Sequence, residues 1–442
     1  MKIPAFLLCV AFIAYLLRFD YKLTRNKVSF CLWLPTAWML ICASKPLGIW
    51  FGGADFYSGS SMDRIFLTLC FFIGFIILLK RNFDWTRLFR ENRWLMLLLI
   101  YMLITLFWSD LPFVSFKRWF RELVAIIMAL VVASDPAPRE AMQSLFRRTA
   151  YILIPFSLFL IRHIPALGTE FHHWSGKRMW IGVALQKNGL GRLCVVCAFF
   201  LIWTLVRRWN GRDVAISKNH TYAEIFLLLL TFWILKGPGG AYPATAVVVL
   251  AFGLLLYAFL LWRRAQERVV RPFPIAASLT AMLAYGISIP YLTISVLSGF
   301  LEMLGRDATF TGRTAIWAAL LPVASNQPFF GLGFGSFWTP LTRIHYIVGE
   351  AHNGYLDAAL DIGYFGLLLL TLYLLSSCYR AVKGLLVDFD WACLWLCLLF
   401  MTVLHNATES SLNSLASHFS ALLVFMALAF PAIAASKNTD EP

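Results

Sequence analysis

The chain has 442 residues, 60% of them apolar and only 14% charged, with a formal net charge of +15 and a mean hydropathy of +0.72. A soluble domain of average usage is about 45–50% apolar and about 25% charged, and a chain this long would divide into domains whose surfaces so few charges cannot cover. Composition therefore excludes a soluble enzyme, a disordered chain and a fibrous repeat. Nucleic-acid binding stays open until the cations are placed.

A spanning helix needs about 20 mainly apolar residues, within about 17–25. In chain order, candidate spans lie at 3–18, 28–49, 64–79, 94–109, 119–134, 149–163, 186–206, 221–237, 243–262, 273–298, 355–378, 390–405 and 416–434. The expected fold is an all-α polytopic membrane helix bundle of about 12–13 transmembrane helices, a single integral membrane domain over residues 1–442. The first run follows Lys2 as in a signal peptide, but Arg18-Phe19-Asp20-Tyr21-Lys22 follows it in place of a small-residue cleavage site, so it reads as an uncleaved helix.

Lys and Arg gather in 18–27, 80–93, 139–148, 207–218, 263–271, 380–383 and the C-terminal tail, which together hold 23 of the 38 basic residues. Every second connection is the basic one, and the positive-inside rule assigns those to the cytoplasm. The long segment 299–354 then falls outside as one large outward-facing helical loop, with the C-terminus inside and the N-terminus outside. Spread over many short loops, the cations orient helices and form no nucleic-acid patch. The nine cysteines sit in or beside apolar runs. Cys194-x-x-Cys197 and Cys393-x-x-x-Cys397 each lack a second ligand pair and read as small packing residues.

The long loop carries apolar and aromatic residues throughout and is expected to fold. It holds three dense runs: Thr311-Gly312-Arg313-Thr314 leading to Trp317, Pro328-Phe329-Phe330-Gly331-Leu332-Gly333-Phe334-Gly335, and Glu350-Ala351-His352-Asn353-Gly354-Tyr355-Leu356. The glycine run lacks the strand and spacing of a dinucleotide loop and reads as tight turns. Upstream stand Trp108-Ser109-Asp110-Leu111-Pro112 with Lys117-Arg118, and Gly182 to Gly191, which includes Gln186-Lys187-Asn188.

In order and spacing, over roughly 95–410, these segments resemble the O-antigen ligase/polymerase family of bacterial membrane glycosyltransferases. The likeness rests on Gly312-Arg313 with Trp317, on Pro328 with Gly331 and Gly333, and on His352-Asn353 leading to Gly363. The Gly182–Gly191 segment is similar to that of exopolysaccharide polymerases, with Gln186 where they carry a His. A second departure follows Lys236, where the family's later basic residue is missing and Lys236 is the candidate to substitute for it. The resemblance implies a multi-pass protein of the bacterial inner membrane with its site on the periplasmic face, and it implies no cofactor. The implied partners are an undecaprenyl-pyrophosphate-linked glycan, an acceptor glycan or lipid, membrane lipid and a chain-length regulator. The anomeric centre is expected to invert.

Such a transfer releases a pyrophosphate, already a good leaving group, so the site must supply positive charge and a base. Arginine binds phosphate bidentately without losing its proton, and histidine titrates near working pH. Arg313 is the candidate for the diphosphate and His352 for the base, with Asn353 orienting it or a sugar hydroxyl. The plainer alternatives are a solvated loop cation and a capping or packing histidine. Lys187, Asn188 and Arg192 lie at the outer end of the seventh run. A charge at membrane depth costs about +2.5–3.5 kcal/mol on insertion scales and so tends to line a cavity, though snorkelling to headgroups competes. Arg118, with Lys117 and Arg121, is a candidate for lipid phosphate, and Glu409 a candidate to face the same outer cavity. Glu170-Phe171-His172-His173 lacks a third ligand, so no metal is expected. His163, His345 and His405 are expected at the interface.

Three functions remain open at this point: a polysaccharide polymerase, towards which the Lys187-Asn188 segment tilts; a ligase moving the glycan to lipid A core or protein; and a secondary transporter. Transporters place paired broken helices and acidic residues at the midplane, whereas the acidic residues here lie mostly in loops.

Overall fold

The computed structural model describes residues 2–52, 60–81, 84–171, 176–211, 216–239, 241–292 and 312–439, with side chains described as far as 433. Expectations for His172, His173, Thr311 and residues 299–311 lie outside the described residues. Each of the thirteen apolar runs is occupied by helix. By length and composition seven helices can cross a membrane: Lys2–Thr24, Ser61–Leu79, Pro138–His163, Lys187–Trp209, Ala244–Ala265, Pro272–Leu292 and Gly354–Gly384. Four shorter apolar helices, Phe30–Cys42, Arg93–Phe107, Phe389–His405 and His418–Ile433, pack among them. The protein is an all-α polytopic membrane helix bundle. Among the described residues its one small departure is the hairpin pairing Thr169–Phe171 with Arg178–Trp180.

Burial sorts the helices. Phe389–His405 is apolar all round, as a fully enclosed helix must be, and its Trp391, Trp395 and Phe400 are buried. Lys2–Thr24 and Ser61–Leu79 lie at the rim and expose Leu7, Leu8, Phe72 and Ile76, the face that lipid solvates. The basic segments converge at one end of the bundle. There Arg147 and Arg148 flank Asp20, Arg208 meets Glu224, and Arg207 and Arg264 both reach Asp390. The Lys187–Trp209 helix runs from the other end, where Lys187 begins it, to this one.

One helix is broken. Gly363 interrupts Gly354–Gly384 with φ 64° and ψ −174°, a left-handed conformation that costs glycine little. The break frees backbone groups, and the Pro328–Gly335 segment satisfies them: Leu332 N donates to Leu360 O and Gly333 N to Asp361 O at 2.9 Å, while Tyr364 N donates to Pro328 O at 2.7 Å. A Cβ on Gly331 would stand 2.5 Å from Gly363 N, so the two glycines permit the close approach together. Unpaired backbone inside a membrane protein costs several kcal/mol per group, which explains why the glycine run and the helix glycine act as one unit. Arg118 locks this segment, donating to the carbonyl oxygens of Gly335 and Trp338.

Candidate functional site

Three loops meet at the end of the bundle opposite the Asp20 cluster. The first is the entry to the helix Arg313–Asn326. Trp317 is fully buried and its Nε1 donates to Ala351 O at 2.9 Å, which fixes Arg313, four residues earlier, beside the second loop, 347–353. The third loop, 406–417, is folded around Asn406, whose Oδ1 accepts from Ser411 N at 2.8 Å and Leu412 N at 2.9 Å. It presents Glu409, with 3% of its side chain exposed.

Glu409 is the centre of the cluster. Its Oε1 accepts from Asn188 Nδ2 at 2.7 Å and pairs with the Arg313 guanidinium. Its Oε2 lies 3.5 Å from Nδ1 of His352, which also lies 3.4 Å from Glu350 Oε1. At these distances the carboxylates act on the imidazole chiefly through their charge. Arg192 donates to Ser410 O at 3.0 Å, and Lys187 lies within electrostatic reach of Glu409 and Arg313. Gln186 approaches Glu350 at 3.5 Å. Lys187 also lines a cleft with Trp180, Leu190, Gly191 and Pro243.

The electrostatics separate the three titratable groups. Burial raises the Glu409 carboxyl, but His352, Arg313 and His405 reverse this and hold it well below the usual carboxylate range. Burial also raises Glu350, and the like charge of Glu409 adds to this against the pull of His352 and Arg192, so Glu350 sits above its ordinary value. Burial opposes the His352 imidazolium, yet the carboxylates of Glu409 and Glu350 overcome it and raise its pKa. Neighbouring carboxyls driven apart in this way are an arrangement that assigns different roles to chemically similar groups. His352 is moreover a non-glycine residue at φ 51°, an uncommon conformation that costs about 1–3 kcal/mol and concentrates at functional sites. About a quarter of the His352 side chain remains exposed.

Glu350, His352 and Glu409 each offer one ligand atom, all within 4.8 Å of one another, a spacing that admits a divalent cation. Glu409 Oε1 is already engaged by Arg313 and Asn188, and Gln186 approaches Glu350.

The structure thus brings Arg313, His352, Lys187, Asn188 and Arg192 together around Glu409 and leaves other candidates apart. Asn353 is fully buried with every polar atom used: Oδ1 accepts from Tyr355 N and Leu356 N, and Nδ2 donates to Gly286 O and Ala407 O. It caps the helix that follows and has no group left for a sugar. Arg118 holds the backbone of Gly335 and Trp338, as above, rather than joining the cluster. Lys236 is exposed at the end of Lys218–Lys236. His405, expected at the interface, is instead buried edge-on against Phe419, because the following loop folds the next helix back over it. Glu350 carried no role in the sequence reading. Only its place two residues before His352 pointed to it.

Residues 225–371 match the family model described as O-antigen ligase (Wzy_C), a segment that includes Arg313, His352 and the helix break but not Lys187 or Glu409. The chain is 25% identical over 311 residues to the exopolysaccharide production protein ExoQ of Rhizobium meliloti (strain 1021), a match covering 67% of this chain and 66%, just under two thirds, of that protein. The likeness read from the motifs is therefore supported: this membrane protein is similar to the O-antigen ligase/polymerase family.

Proposed function

We propose that the protein transfers a glycan from an undecaprenyl-pyrophosphate donor to an acceptor sugar hydroxyl at the periplasmic face of the bacterial inner membrane, as a polysaccharide polymerase. The observation that carries this reading is the Arg313–Glu409–His352 cluster, half-open and flanked by Asn188, Lys187 and Arg192. Arg313 has five N–H donors, so its bond to Glu409 leaves others for a diphosphate. Charge aimed at a leaving group is usually the largest catalytic contribution. With Nδ1 turned to the carboxylates, His352 keeps Nε2 on the opposite side of its ring for the acceptor.

In the step, the acceptor oxygen bonds to the anomeric carbon while the bond from that carbon to the pyrophosphate oxygen breaks. The leaving polyprenyl pyrophosphate keeps the electron pair, and the hydroxyl proton passes to His352 Nε2 and later to water. Glu409 holds the imidazole orientation, as the carboxylate does in other His–carboxylate pairs. Positive charge comes from protein cations, so chelation leaves the rate unchanged.

The relative's name, exopolysaccharide production protein, supports the polymerase reading, while the family description, O-antigen ligase, supports transfer to a lipid or protein acceptor as the second. Deleting the gene and examining undecaprenyl-linked products separates them. Single repeats accumulate if a polymerase is lost, and long chains if a ligase is lost. If neither accumulates, the donor assignment is wrong.

A further inference from the structure

Two of the loops that build the site, 347–353 and 406–417, share one tie with the segment that follows the glycine run. Asp357, in the first turn of Gly354–Gly384, is fully buried. Its carboxylate accepts from Trp338 Nε1 at 2.6 Å, from Ala351 N at 3.1 and 3.2 Å, and from the hydroxyl of Ser410. Trp338 ends the glycine-run segment, Ala351 precedes His352, and Ser410 follows Glu409. A carboxylate is acceptor-only, and what converges on it here are donors, one from each segment.

We propose that Asp357 is a positioning residue that sets the His352–Glu409 geometry by clasping the loops on either side of it. The proposal rests on the functional reading above for its kinetic consequence but not for its structural one. His352 and Glu409 are each one residue from an Asp357 partner. The 3.5 Å separation of the pair therefore depends on where the clasp holds the two loops. Ala351 is held from its other side by Trp317, which donates to its carbonyl oxygen, so Asp357 and Trp317 grip the same residue and hold His352 in its left-handed conformation. At its far end the 406–417 loop is pinned by Glu122, which accepts from Ser414 Oγ at 2.8 Å and Ala416 N at 2.7 Å. Ser410 is the tie next to Glu409.

The chemistry ranks the variants. Asp357→Asn keeps one carbonyl oxygen for Trp338 and Ala351, and its amide donates to a Ser410 hydroxyl that reverses its role. Asp357→Ala leaves the donors of all three segments without it, and Ser410→Ala cuts only the link to the Glu409 loop. The assay uses purified full-length protein and lipid-linked glycan extracted from a strain lacking it. A misplacement of about 1 Å costs roughly 100-fold. On that scale Asp357→Ala loses about 100-fold in kcat and Ser410→Ala about tenfold, with KM little changed, and Asp357→Asn stays near wild type. In Ser410→Ala the rising limb of the pH–rate profile moves to lower pH, because Glu409 no longer supports the His352 cation as closely. A merely structural role would not move that limb. A wild-type rate and profile in Ser410→Ala overturns the proposal.

Hydrogen exchange supplies a readout independent of activity. In Asp357→Ala, amides 349–353 and 406–412 exchange faster, while the 139–148 and 207–211 segments at the other end stay as in wild type. Unchanged exchange at Ala351 refutes the clasp whether or not the enzyme turns over. If wild type transfers nothing, the functional reading fails, and exchange still decides the clasp.

Discussion

Two buried ionic clusters stand at opposite ends of this bundle, and their difference separates structure from site. At one end Asp20 accepts from Arg147 Nε at 2.8 Å, Arg148 Nε at 2.7 Å and Ser144 Oγ at 2.6 Å, while Glu224 pairs with Arg208 and Tyr151. His220 stacks on Phe19 with ring centroids 4.6 Å apart. Every side chain in these pairs is less than 10% exposed. At the other end Glu409 is as deeply buried, yet His352 and Glu350 are 24% and 22% exposed and His352 is strained. Buried charge alone therefore marks nothing. A buried anion surrounded by half-open partners marks a place that can accept a ligand.

The contrast can be broken by mutation. The largest effect is expected from Arg313→Ala or His352→Ala, which should cut transfer by about 10²–10³-fold, the scale of one lost preorganised donor. Thermal unfolding in detergent should stay close to wild type, and a well-expressed His352→Ala that still makes polymer refutes the role given to it. Asp20→Ala should do the reverse. It strands two buried guanidinium groups, a loss of about 3–5 kcal/mol for a broken buried pair, so less folded protein is recovered, while any that inserts transfers glycan at the normal rate.

A subtler test is pH. His352 acts as a base only when neutral, and its neighbouring carboxylates raise its pKa. The transfer rate should therefore rise with pH through a midpoint above the ordinary histidine value of about 6.5. Glu409→Gln removes negative charge and should move that midpoint down. A midpoint that rises or stays in this variant shows that Glu409 does not act on His352. The smallest effect belongs to Lys236→Ala. Exposed at its helix end, it should leave stability within about 0.5 kcal/mol and transfer near wild type, whereas a large loss would draw Lys236 into the site.

Much of this architecture was legible in the sequence because lipid imposes a simple rule: apolar length specifies helix, and all thirteen runs carry one. The site was partly legible. Arg313, Lys187 and Arg192 stood out as cations out of keeping with the basic-loop pattern and His352 through its motif, and the structure gathers them. Asn353 was read as a sugar contact although an Asn directly before a helix is first a cap, and its buried amide serves that end. Arg118 offered no such warning. Its carbonyl partners lie more than 200 residues away, and no local pattern announces a contact of that range. Glu350 and Asp357 were hidden for the same reason, since their meaning depends on loops that meet only in the folded bundle.

The helix break has a consequence for how the chain is made. Gly331 leaves the ribosome 32 residues before Gly363, an interval of a few seconds at about 5–20 residues per second. The segment that completes the broken helix is thus made before the break it completes. Had the order been reversed, a helix with bare carbonyl and amide groups would have had to wait in hydrocarbon for its partner. Chain order here works as an assembly schedule, in which the template precedes the element that cannot stand alone.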